Sequence, residues 1–287
     1  MTARVYVGKP VAEALDARTG AGAAKLRAAG VEPTLAIVRV GQRPDGIAYE
    51  RSAAKRACAG GLAVRHIDCP GDVTLYELLS LVHKLNTDAS VHGVLLLRPF
   101  PAHLDENLIC NSLAPEKDVD GTTVISSAGT YTGGHEGCAP CTARACLELL
   151  DYYQVPLEGK SVLVIGRSLV VGKPVAMMLL ERDATVTIAH SHSTGLAQLA
   201  RQADIIIAAA GQAGMVTAEY LRAGQHVLDV GVSFTPEGTM VGDVAFEQAV
   251  ETVAGITPVP RGLGSITTSV LCLHVVEATQ RALAAEG

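Results

Sequence analysis

Residues 161–174, SVLVIGRSLVVGKP, constrain the fold of this chain more than any other stretch. Val162, Leu163, Val164 and Ile165 form an unbroken apolar run between polar and glycine residues, the pattern of a strand buried on both faces. Gly166 lets the chain turn sharply. Gly172 and Pro174 then open a helix: glycine allows it to sit close to the strand, and proline is tolerated in a first turn that does not need its N–H. Free N–H groups at such a helix start suit the pyrophosphate of a dinucleotide. The spacing departs from GxGxxG, with Ser168 where the second glycine belongs, so the run fits equally a plain strand-turn-helix of an α/β core.

A second strand, 184–189, ends in the polar run His190, Ser191, His192, Ser193, Thr194. In a dinucleotide fold this strand end meets the adenosine ribose, where an acidic residue accepts from a free 2′-hydroxyl. No acid stands here, and Arg167 lies in the nearby glycine turn. Arginine with a serine hydroxyl suits a 2′-phosphate through charge-assisted hydrogen bonds, which favours NADP over NAD. The alternative for Arg167 is a solvated surface charge.

At 287 residues, one or two domains and a sizeable core are expected. The net charge of −6 and the lack of tryptophan and of long basic stretches argue against nucleic acid as a partner. No apolar run approaches the roughly 18 residues of a membrane span, and MTARVYVGKP lacks a signal-peptide core, so the expected location is cytoplasmic. Cys58, Cys69, Cys110, Cys138, Cys141, Cys146 and Cys272 are odd in number and scattered, unlike a disulfide framework. Cys138 and Cys141 have the spacing of half a zinc site without a second pair, so no metal is expected.

From the N-terminus, helix-like 11–29 precedes an apolar strand at 34–40, followed by a helix at 46–58, a strand at 62–68, a helix at 75–85 and a buried strand at 93–97. Region 115–140 reads as loop-rich. A helix from about 142 leads into the strand and helix of the glycine turn, with later strands at 204–209 and 226–230, a loop at 257–264 and a last helix at 267–285.

These elements carry motifs that, in order, resemble the methylenetetrahydrofolate dehydrogenase/cyclohydrolase (FolD) family: Val40-Gly41 followed by Tyr49, PEKDVDG at 115–121, PCT at 140–142, GRSLVVGKP from Gly166, ATVTIAHS from Ala184, LDVGV from Leu228, VGDV from Val241 and ITPVPRGLG from Ile256. The resemblance implies a two-domain α/β fold with a cleft between the domains. Residues 1–141 would form the N-terminal folate domain, with helix 266–287 packing back on it, and 142–265 a Rossmann-like, doubly wound NADP-binding domain. It further implies a tetrahydrofolate derivative as substrate, NADP as cofactor and a homodimer. By the same resemblance Gly166, Arg167, Ser168, Gly172, Ser191 and Val232 hold the cofactor. Tyr49 stacks near the one-carbon centre and Asp120 accepts from the pterin N–H groups, which makes these two the catalytic candidates. The alternatives are an amphipathic packing residue for Tyr49 and a turn residue for Asp120. Asp118 reads as structural and Lys117 as surface-exposed.

The folate side departs from the family pattern. The Tyr-x-x-x-Lys pair carries Ala53 in place of lysine, and positions four apart share one helix face. Lys55 lies about 200° round the helix from Ala53, and Arg56, though closer, stays protonated and makes a poor proton shuttle. Gly46 stands for a serine, Leu97 for the glutamine of VQLPLP, and Arg98 and Arg261 are new charges bordering the expected substrate site. Hydride transfer demands chiefly orientation, whereas cyclohydrolysis needs proton transfer by a positioned group. The expectation is a dehydrogenase with weak or absent cyclohydrolase activity. The alternatives are a relative acting on another, acidic substrate or passing on the one-carbon unit, and a non-catalytic NADP-binding protein.

Overall fold

The computed structural model describes residues 2–134 and 136–286. The chain divides into two compact units, one of Met1–Ala12 with Thr142–Thr267 and one of Glu13–Cys141 with Thr268–Gly287. The segment up to Ala12 groups with the later unit, where 1–141 were expected together. Strand pairing is the cause: β1 (Arg4–Val5) adds in parallel to the strand Gly255–Ile256. Next to it the Tyr6 hydroxyl lies 2.6 Å from His226 Nδ1, and its ring centroid 4.5 Å from that of Tyr153.

After α1 (Gly8–Ala28) comes β2 (Thr34–Val40), every residue of which is buried. Burial on both faces follows from its central place in a parallel sheet ordered β3-β2-β4. The partners are β3 (Ala63–Cys69), reached through α2 (Pro44–Ala59), and β4 (Gly93–Leu96), reached through α3 (Leu75–Thr87), the helical crossovers that parallel strands require. One charge sits inside β2: Arg39 is tolerated because it donates to Glu50 and Asp68, each at 2.6 Å, and to the Gly41 carbonyl. The start of α3 is fixed by a capping box between Thr74 and Glu77, and α4 (Glu106–Asn111) by the Asp105 carboxylate accepting from Leu108 N at 3.0 Å.

Region 115–140, expected as loop, contains α5 (Val124–Thr132). Its organiser is the fully buried Asp118, whose carboxylate accepts from Thr122 N (3.0 Å), Thr123 N (2.8 Å) and the Ser126 hydroxyl (2.7 Å), while Thr123 caps the helix. Asp118 is thus structural. Lys117 is not a free surface charge: its ammonium donates to the Leu85 and Asp88 carbonyls at the end of α3 (2.8 and 2.7 Å).

The other unit follows α6 (Cys141–Tyr152) with β5 (Ser161–Ile165), α7 (Gly172–Leu180), β6 (Thr185–Ala189), α8 (Leu196–Gln202), β7 (Ile205–Ala208) and β8 (His226–Asp229). A short hairpin of β9 (Ser233–Phe234) and β10 (Met240–Val241), then α9 (Phe246–Ala249) and β11 (Gly255–Ile256), complete it. Its parallel sheet is ordered β1-β11-β8-β7-β5-β6. The chain leaves β5 for β6 on one side and returns to β7 on the other, a switch point whose crevice at the strand ends is where such folds bind ligands. The last helix, α10 (Thr267–Glu286), carries Val275 against Gly93 of β4 and Val276 against Gly22 of α1, where a glycine leaves the room.

Candidate functional site

At the carboxyl ends of β5, β6 and β7 lies a cavity of about 280 Å³, lined by Gly166, Arg167, Ser168, His190, Ser191, Ala209, Ala210 and Gln212 among others. Gly166 has φ 126°, a conformation open to glycine alone, and a Cβ there would run into the Ala209 carbonyl. Gly172 is buried against the Gly166 backbone, where a side chain would not fit, so it holds α7 close to β5 without lining the cavity. The Ser168 hydroxyl accepts from Val171 N (3.1 Å) and Gly172 N (3.4 Å), capping α7 from within the turn. Arg167 and Ser191 are both exposed on the cavity wall. Of the expected cofactor residues, Gly166, Arg167, Ser168 and Ser191 therefore come together, while Val232, 56% exposed after β8, does not line this space. The backbone-lined turn and the single guanidinium fit a phosphate-bearing dinucleotide.

The floor of that cavity rests on two carboxylates that sequence reasoning did not single out. Asp243, fully buried, accepts from three successive amides of the loop after β7: Ala210 (2.6 Å), Gly211 (2.9 Å) and Gln212 (2.7 Å). Asp229 at the end of β8 in turn accepts from Gly231 (3.0 Å), Asp243 (2.9 Å) and Val244 (2.9 Å). Burial pushes the Asp229 carboxyl up to about 6 against these amide bonds. Gly231 and Gly242 press on the two carboxylates, leaving no space for a Cβ. The motifs LDVGV and VGDV are thus one interlocked device, signalled in the sequence by an acid beside a glycine after a buried strand.

In the other unit a cavity of about 350 Å³ is lined by Asp45, Gly46, Tyr49, Leu95, Leu96, Leu97, Arg98 and Asp120. The expected residues Tyr49, Leu97, Arg98 and Asp120 are brought together there. Tyr49 is 40% exposed, yet its hydroxyl end is desolvated, which raises its pKa, and Asp120, Cys141 and Cys272 raise it further, while a hydrogen bond with Thr268 works against them. Asp120 is raised to about 6, chiefly by burial and opposed by Arg98 and by a hydrogen bond with the Cys141 thiol. Arg98 Nη1 lies 3.6 Å from Glu106 Oε1 and its Nη2 3.9 Å from Asp120 Oδ2. Ala53, one turn after Tyr49, is fully buried. Arg56 is committed elsewhere: its Nη1 donates to Asp16 (2.8 Å) and Ser269 (2.5 Å).

Arg261 belongs to the unit of residues 142–267 and is not among the residues lining the Tyr49 cavity. It is exposed with φ 80°, and its carbonyl accepts from Gly8 N at 2.9 Å. A left-handed conformation costs a non-glycine residue roughly 1–2 kcal/mol, so the turn keeps a glycine geometry with an arginine in it. Cys138 lies 3.4 Å from Arg281 Nη2, and among the described residues no group of three His, Cys, Asp or Glu is placed to hold a metal.

Comparison with known proteins agrees with this geometry. Residues 7–120 match the tetrahydrofolate dehydrogenase/cyclohydrolase catalytic domain, and residues 140–283 match that family's NAD(P)-binding domain. The chain is 43% identical over 275 residues to the bifunctional protein FolD of Clostridioides difficile, covering 96% of each. The bifunctional FolD structure from Campylobacter jejuni superposes with a TM-score of 0.94 at 35% identity, covering 97% of this chain and 99% of that one. The Trypanosoma brucei methylenetetrahydrofolate dehydrogenase-cyclohydrolase, solved with NADP and an inhibitor, gives 0.91 at 34% identity over 99% of both chains. With a catalytic and an NAD(P)-binding domain each matched and each carrying its own cavity, this chain belongs to the tetrahydrofolate dehydrogenase/cyclohydrolase family.

Proposed function

We propose that the chain is an NADP-dependent methylenetetrahydrofolate dehydrogenase whose cyclohydrolase activity is weak or lost. The preference for NADP is supported by Arg167 and Ser191 on one cavity wall, with no acidic residue among those lining it. Arg167 and Ser191 bind the 2′-phosphate, and the turn at Gly166 brings backbone against the pyrophosphate. Bound NADP supplies the hydride acceptor. On the folate side Asp120 accepts from the pterin N–H groups and Tyr49 lies against the one-carbon centre. Oxidation of the methylene bridge to the methenyl cation gives up one hydride and no proton, so it makes no demand on a protein base.

Hydrolysis of the methenyl cation does make that demand, and one observation carries the reading that it is poorly met. The groups facing the Tyr49 hydroxyl are Asp120, Cys141, Cys272 and Thr268, none of them cationic. Burial and these neighbours favour the phenol over the phenolate, so Tyr49 stays a neutral donor, and Ala53 and the paired Arg56 offer no adaptable amine. Loss of such a proton-transfer group typically costs about 100- to 10,000-fold. The acidic-substrate reading loses support, because Arg98 is already flanked by two carboxylates.

A homodimer in the cytoplasm completes the proposal. The outer edge of β3 supports the first, since β3 pairs only with β2 among the described residues. Seven free thiols support the second. The test is NADPH absorbance after adding methylenetetrahydrofolate and NADP. Steady turnover is expected, and no reduction with any folate contradicts the reading.

A further inference from the structure

Arg98 and Asp120 face each other across the Tyr49 cavity, from the loop after β4 and from the turn before Gly121. Each is mostly shielded: the Arg98 side chain is 29% exposed and that of Asp120 25%. Apolar Leu95, Leu96 and Leu97 line the same cavity as Asp120. The titratable and charged groups around it are Arg98, Cys141, Asp118 and the Tyr49 hydroxyl, with Glu106 beyond Arg98 and Asp45 elsewhere on the cavity wall. Arg98 is the cation among them. A carboxylate this shielded goes neutral unless something positive faces it, and a neutral carboxyl offers a pterin a hydroxyl where it needs an acceptor.

We propose that Arg98 is a positioning residue, whose guanidinium keeps the Asp120 carboxylate ionised and aimed into the cavity and supplies from the loop after β4 the positive charge that α2, with Ala53, lacks. Two observations support this. The guanidinium is braced from behind by Glu106 on α4, which sets it between two carboxylates, and its Nη2 lies 3.9 Å from Oδ2 of Asp120 on the wall of the cavity that a ligand would enter. Without Arg98, burial and Asp118 both act to raise the Asp120 pKa, and the Cys141 thiol is left as the group opposing them.

The role in substrate binding rests on the folate reading above, so the experiment separates the two. In ligand-free protein, the Asp120 carboxyl is followed by ¹³C NMR from pH 4 to 9, assigned by its disappearance in Asp120→Asn. In Arg98→Leu the midpoint is expected to rise by about one to two pH units, the effect of removing a close opposite charge, and in Arg98→Lys to return towards wild type. In parallel, calorimetry reads binding of 5-formyltetrahydrofolate, an air-stable folate with the same pterin. At pH 7 Arg98→Leu is expected to weaken it about 2- to 10-fold, the loss of ionised Asp120 that such a shift implies, with NADP affinity unchanged as the check on folding. An Asp120 midpoint identical in wild type and Arg98→Leu overturns the role of Arg98. No binding of the folate to wild type overturns the folate reading while the carboxyl titration still decides on Arg98.

Discussion

On the proposed reading, Arg167 is the residue on which cofactor choice turns. Its guanidinium and the Ser191 hydroxyl share a cavity wall that has no acid for a free 2′-hydroxyl. Arg167→Ala is therefore expected to weaken NADP by about 1–3 kcal/mol, roughly 5- to 150-fold, and to leave NAD nearly unchanged, as read by calorimetric titration of both. These residues were legible in the sequence because each comes just after a strand, Arg167 after buried β5 and Ser191 after the more exposed β6, so strand and site are read from one run of letters. Asp243 was not, since the amides it holds lie more than thirty positions earlier. On the folate side the sequence showed that Arg98 was a new charge, but its Glu106 and Asp120 partners emerge only when α4 and the turn before Gly121 fold beside it.

At the scale of elements, the loop after β7 depends on a side chain from beyond β10. Asp243→Ala would strand three amide donors, each worth about 1–3 kcal/mol when left unmade in a buried setting. A loss on the order of 3 kcal/mol in urea unfolding is expected, together with weakened NADP binding, because Ala210 and Gln212 line the cavity. The long elements were readable from hydrophobic pattern: the expected strand at 34–40 is β2, and the expected helix at 75–85 is the core of α3. Two elements were not. Short β1 exists because β11, some 250 positions away, offers it an edge, and α5 exists because buried Asp118 anchors its first turn. Neither cause leaves a local periodicity.

For the whole molecule, the folate-side carboxylate is expected to lower stability at neutral pH. Asp120 titrates near 6 in the folded state against about 3.9 unfolded, so between those values the folded protein holds the extra proton. Its contribution therefore turns unfavourable as pH rises from about 4 to 6 and stays so above. Thermal unfolding of Asp120→Asn should show a gain over wild type that is largest above pH 6 and fades towards pH 4, a gain that Arg98 keeps modest by offsetting part of the burial. On the proposed reading this cost is borne because an ionised Asp120 accepts from the pterin, while the missing lysine at position 53 slows the proton transfers of hydrolysis. The partition of products states this most directly. Purified protein given methylenetetrahydrofolate and NADP is followed at once for NADPH and for the methenyl and 10-formyl products, with non-enzymatic hydrolysis subtracted. Methenyltetrahydrofolate accumulating in step with NADPH is the predicted result; 10-formyltetrahydrofolate appearing as fast as NADPH would contradict it.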